Sequence, residues 1–131
     1  MPVDSQQFAA AAIQAAERYE AGDVTTARDL FERIVDDSEV PDLDRSVIGV
    51  NLATVLTALG ASEAEVEAAY DTAVELERRW MRGFAAESKA AWLVAVGRTW
   101  EARDLLLWLR SQPWTSFGDR DRFDGSVAAL T

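Results

Sequence analysis

The chain has 131 residues, a formal charge of −10, and neither cysteine nor histidine. A single domain of that length buries roughly two-thirds of its unfolded surface, and an apolar share of 49% argues against intrinsic disorder. The two missing residue types exclude disulfides, thiolate nucleophiles, cysteine zinc sites and the usual general base near neutral pH.

The acidic balance also repels a phosphate backbone and an anionic lipid surface, and no stretch gathers the basic cluster that nucleic-acid binding needs. Neither nucleic acid nor a membrane is therefore expected as a partner. Met1 to Gln14 lack a basic region before their alanines, so no signal peptide is read there, and no apolar run is long enough to span a bilayer. The expected location is cytoplasmic. Arginine outnumbers lysine twelve to one, which fits the coding bias of a GC-rich bacterial genome.

Caps and breakers divide the sequence into helical stretches. The first runs from about Ser5 to Ala21, with Asp4 and Gln7 placed as a variant capping box and Gly22 at its end. The second follows Asp23 and carries Val24, Ala27, Phe31, Ile34 and Val35 at helical spacing. An acidic loop from Asp36 to Asp42 ends it, with Pro41 preventing continuation. The third, about Leu43 to Leu59, is apolar on more than one face, which predicts a central position. Gly60 stops it, and Ser62 with Glu65 form the capping box of a fourth helix bearing Val66, Tyr70, Ala73 and Leu76. Gly83 is the next expected break. A fifth helix spans about Phe84 to Val96, and Gly97 ends it. The sixth, about Thr99 to Ser111, stops before Pro113. The remainder, 114–131, reads as an irregular tail with a short helical turn near Ser126 to Leu130, packed on the last repeat. No segment alternates apolar and polar residues, so no strand is expected.

These helices form pairs, and the pairs recur. Gly22, Gly60 and Gly97 stand at the turn inside each pair, 38 and then 37 residues apart. Five residues after Gly22 and Gly97 stands alanine, Ala27 and Ala102, and four further on a large apolar residue, Phe31 and Leu106. In the middle unit the frame slips by one, to Val66 and Tyr70. A small residue lets helices approach, and the large neighbour fills the space beside it.

The segments from Ala21 to Phe31 and Gly97 to Leu106, with Asn51 to Ala53 and Ala69 to Leu76 between them, resemble the tetratricopeptide repeat (TPR) family. The repeats are degenerate: Ala11, Gly49 and Ala86 replace the bulky residues that the family carries early in its first helices. The resemblance implies an all-α fold of three antiparallel helix pairs stacked as a right-handed superhelix over residues 1–113, with repeats of about 8–41, 46–80 and 83–113 and a C-terminal tail.

It further implies a concave groove lined by the first helices, receiving a peptide or partner helix, and hence a non-catalytic protein-interaction scaffold. The expected wall comprises Ala12, Ile13, Ala16, Tyr19, Glu20, Val47, Val50, Asn51, Thr54, Phe84, Glu87, Ser88 and Ala91. The family's carboxylate clamp is not expected, because only Asn51 fits it while Ala12, Ala16, Phe84 and Ser88 hold the other places. Lys89, the one lysine, reads as a surface residue.

A second reading is a structural homo-oligomer, possible as a homodimer. Leu107 and Trp108 point away from the Leu105, Leu106 and Leu109 face of the sixth helix and, with Trp114, form a terminal apolar patch. That patch serves either for self-association or for docking Phe117, Phe123 and Leu130 of the tail. No metal or cofactor is expected. The run Asp119 to Gly125 departs from a calcium loop at its third carboxylate and lacks the closing glutamate, and the acids around Pro41 read as caps of a solvated loop. With no phosphate loop or nucleophile elbow, the chain is not expected to be an enzyme.

Overall fold

The computed structural model describes residues 5–130, with side chains from Ala9 onward. Seven helices account for most of it: α1 (Ser5–Glu20), α2 (Val24–Asp36), α3 (Asp42–Ala58), α4 (Glu63–Arg78), α5 (Phe84–Ala95), α6 (Thr99–Ser111) and α7 (Phe117–Ala129). The protein is all-α, with no strand among the described residues. None of the helices described is long and apolar enough to cross a membrane. The capping box expected at Asp4 and Gln7 lies outside the described residues and side chains.

The three glycines have one physical job. Gly22, Gly60 and Gly97 take φ of 88°, 73° and 84°, a conformation that glycine adopts without a Cβ penalty. Each donates its N–H to the carbonyl three residues back, and the next residue reaches five back: Asp23 to Arg18, Ala61 to Leu56 and Arg98 to Leu93. The same turn thus closes all three hairpins. Two of the helices on the far side, α2 and α4, start on a side-chain cap, whereas α6 starts at Arg98 without one. Asp23 accepts from Thr26 N–H at 3.3 Å, and Ser62 from Glu65 N–H at 3.2 Å.

Hairpins α1–α2, α3–α4 and α5–α6 pack against one another in sequence order, and α3 also meets α5. The apolar helix α3 is accordingly central. Its seam with α4 is tight: a Cβ on Gly49 would stand 3.0 Å from the Cβ of Ala73. Ser46, fully buried in the same seam, donates to the Ala73 carbonyl at 2.8 Å. Alanines recur at these contacts, with Ala15, Ala27, Ala53, Ala73, Ala85 and Ala102 all completely buried.

The fourth helix ends earlier than Gly83 suggests. It stops at Arg78, and a turn of the same type follows with Met81 in the glycine place, at φ 57°. There Met81 N–H reaches Arg78 O, and Arg82 N–H reaches Glu77 O. Gly83 instead precedes α5 as its N-cap.

The segment read as an irregular tail is a full helix. Ser116 caps α7 by accepting from Asp119 N–H at 3.1 Å, and Phe123, 3% exposed, anchors it in the core with Val127 and Leu130 alongside. Phe117, expected to help cover the terminal repeat, is 83% exposed. α7 packs on α6 and is tied to α5 by Arg122, whose guanidinium meets both Glu87 carboxylate oxygens at 2.9 Å.

Candidate functional site

Three concavities lie along one side of the array. The first is lined by Ala16, Tyr19 and Glu20 of α1, Phe31 of α2, and Asn51, Thr54 and Val55 of α3. The second is lined by Tyr19, by Thr54, Thr57 and Ala58 of α3, by Tyr70 of α4, and by Ser88, Ala91 and Trp92 of α5. The third lies between α5, α6 and α7, with Glu87, Ala90, Ala91, Val94 and Leu106 facing Ser126, Ala129 and Leu130. Tyr19 and Thr54 belong to the first two, and Ala91 to the last two, so the three form one strip across α1, α3, α5 and α7.

Most of the expected wall therefore falls on this strip: Ala16, Tyr19, Glu20, Asn51, Thr54, Glu87, Ser88 and Ala91. Ile13, Val47 and Phe84 do not line it but are exposed one helical turn before Ala16, Asn51 and Ser88, on the same faces. Val50 is in a different position. It is 9% exposed and belongs to the core, because α3 is hemmed by α2, α4 and α5. Ala12 is half-buried against that core.

The polar groups of the strip share a character. Thr54, Thr57 and Ser88 each donate their hydroxyl hydrogen to the carbonyl four residues back, at 3.2, 2.9 and 2.9 Å. Their oxygens are left as acceptors toward the concavity. Glu20 adds a carboxylate and Asn51 an amide, neither with a hydrogen-bond partner among the described residues. No lysine or arginine lines the first two concavities. The second also holds Tyr70 and Trp92, rings 5.6 Å apart and tilted by 35°. Burial pushes the Tyr70 phenol above its ordinary range. These two aromatics were missing from the expected wall because each also sits on its helix's core stripe, where spacing alone cannot tell a floor from a core.

An ion-pair network joins α4 and α5 to Arg98, the residue that precedes α6. Glu67 of α4 accepts from Arg98 at 2.9 Å and faces Lys89 of α5 at 3.5 Å, and Lys89 also meets Asp71 at 2.7 Å. The hydrogen bond from Arg98 holds the Glu67 carboxyl below the usual carboxylate range. Lys89 thus links α5 to α4.

The residues of the expected terminal patch separate. Trp108 is half-buried under the Arg78 guanidinium, 5.1 Å from its ring centre, and Trp114 packs against the core beside Gly83. Leu107 remains 40% exposed. Trp108 faces the preceding hairpin, so it does not need the tail to cover it. Phe123 and Leu130 pack instead toward α5 and α6. Among the described residues, no group of acids is placed to share a metal ion.

Fold and strip together define an all-helical protein of three glycine-turned hairpins and a seventh helix that extends the row of α1, α3 and α5. No protein-family model matches the chain, and no curated protein or solved structure matches it either.

Proposed function

We propose that this chain is a TPR-like repeat protein that binds a segment of another protein, most simply an amphipathic helix, in the strip formed by its first helices. The observation that carries the reading is the continuity of that strip from Tyr19 to Ala91, floored by Tyr70 and Trp92 and rimmed by exposed Ile13, Val47 and Phe84. Apolar anchors of a helix spaced at three and four residues suit such a surface. Glu20 and the back-bonded hydroxyls favour a ligand whose polar edge supplies donors, that is, lysine or arginine beside the apolar stripe. We infer no catalytic role and a cytoplasmic setting, from the absent histidine and cysteine and the acidic balance.

The reading is tested by selecting 15-residue peptides from a random displayed library and measuring their affinity by calorimetry. Selected peptides should pair an apolar helical stripe with basic residues. Tyr19→Ala should weaken them about tenfold, the loss of one aromatic contact, and Glu20→Lys should discriminate against the basic ones. Peptides that ignore both variants, or a library that yields none, overturn it.

A further inference from the structure

We propose that the turn between α4 and α5, from Arg79 to Arg82, is a docking surface for a short acidic segment of another protein, one that carries carboxylates beside an apolar anchor. Arg78, Arg79 and Arg82 fall within five residues of a chain whose net charge is −10. Arg78 is spent on Glu75 and on the ring of Trp108. Arg79 and Arg82 are exposed and have no ion-pair partner among the described residues. The acids that the structure places beside this turn are engaged elsewhere. Asp42, which the Trp80 indole N–H reaches at 3.5 Å, pairs with Arg45 at 3.8 Å, and Glu77 is buried on the first amides of α5. The turn therefore keeps an uncompensated positive charge.

The apolar content of the turn points to a protein partner. Trp80 and Met81, between Arg79 and Arg82, are 55% and 61% exposed. Met81 stands at φ 57°, in a turn of the kind that Gly22, Gly60 and Gly97 close elsewhere. A left-handed methionine is costly, and its exposed side chain returns nothing to the core. Strain that the fold does not need marks the position for what its side chain can touch. Trp, Met and Arg are the residue types enriched in interface centres, and arginine takes a carboxylate in a two-pronged hydrogen bond. An extended polyanion is the poorer match. Exposed charges are screened within about 8 Å in physiological salt, so a short segment on this turn meets mainly its arginines. A nucleic acid would run on over the acidic remainder of the surface. The turn is separate from Tyr19 and Glu20, and its ligand is opposite in charge to that of the groove, so the two readings can fail independently.

The test is to select a random displayed peptide library on the full chain and to sort the bound peptides by charge. An acidic class bearing an aromatic or aliphatic residue is expected beside the basic class assigned to the groove. Affinities are read by fluorescence anisotropy, with each variant checked for helicity. Arg79→Glu/Arg82→Glu should weaken the acidic class about tenfold or more, and salt of about 0.5 M should act in the same direction. Trp80→Ala should weaken it about tenfold, while Tyr19→Ala leaves it unchanged. Met81→Gly should weaken it although the fold becomes more stable, which separates contact from folding. The absence of an acidic class, acidic peptides indifferent to Arg79→Glu/Arg82→Glu, or their displacement by an equimolar single-stranded oligonucleotide overturns the proposal. Dimers of the wild type that Arg79→Glu/Arg82→Glu disperses would also overturn it, by assigning the turn to a second copy.

Discussion

The carboxylate of Glu77 accepts the backbone N–H of Ala85 at 2.8 Å, and its second oxygen accepts that of Ala86 at 3.0 Å. Gly83, the N-cap of α5, has no side chain to satisfy those amides, so a residue at the end of α4 caps the next helix from outside. Glu77 is 2% exposed, and this contact joins the second hairpin to the third.

Glu77→Ala should therefore cost about 2–3 kcal/mol in urea unfolding, since two buried amides lose a charged acceptor. Glu77→Gln retains one acceptor and should cost less at pH 5. Burial raises the Glu77 carboxyl above its ordinary value, with the two amides and Ser46 opposing. The folded protein then holds this proton more tightly than the unfolded chain. This contribution to stability is complete below the unfolded value and is lost as pH rises through the folded one. Unfolding free energies measured between pH 4 and 8 should show Glu77→Gln gaining on wild type as pH rises. A constant difference would refute the assignment.

Gly49→Leu should destabilise by about 2–3 kcal/mol or abolish folding, because a side chain there meets Ala73 across the α3–α4 seam and only helix separation makes room. Thermal unfolding by circular dichroism reads the effect.

Met81→Gly should raise the stability of the monomer by about 0.5–1 kcal/mol, as a left-handed conformation is costly for methionine and open to glycine. The reverse substitution at an equivalent turn, Gly60→Ala, should lower stability by about 1 kcal/mol. Chemical denaturation of both variants tests whether the two turns are the same device.

Phe123→Ala should release α7 and leave the three hairpins folded. Phe123 is the one buried side chain of that helix, and truncating a buried phenylalanine costs about 3–5 kcal/mol. Amide hydrogen exchange should rise throughout 117–129 and stay protected in α3 and α4. Arg122→Ala, which removes the bridge to Glu87, should raise exchange in the same helix to a smaller extent.

The hairpins were legible because their punctuation is chemical. A glycine at the left-handed position and a serine or aspartate at an N-cap are visible as letters, and Gly22, Gly60, Gly97, Asp23 and Ser62 all do what those letters predict. Two boundaries were not. The turn at Met81 uses a residue with no preference for it, so Gly83, two places on, drew the expected break. For α7 the glycines and aspartates of 118–125 outweighed signals that were present: Ser116 with Asp119 as a cap, and Phe123, Val127 and Leu130 at spacings of four and three. Gly125 lies exposed inside that helix with nothing near it. On the candidate site, helix order and register placed Tyr19, Asn51, Thr54 and Ser88 along one strip. The burial of Val50 depended on how closely α2, α4 and α5 crowd α3, which one helix's pattern does not encode. The local excess of arginine at 78, 79 and 82 is masked in the sequence by the charge of the whole chain.

The completely buried alanines between the helices bear on how this protein can respond to force or ligand. Alanine has no side-chain torsion to lose on ordering and none to adjust afterwards. Contacts built on Ala15, Ala53, Ala73 and Ala85 cannot absorb a strain by switching rotamers. A displacement at one such seam is therefore expected to show as sliding or hinging of a whole helix, not as a rotamer change at the contact itself.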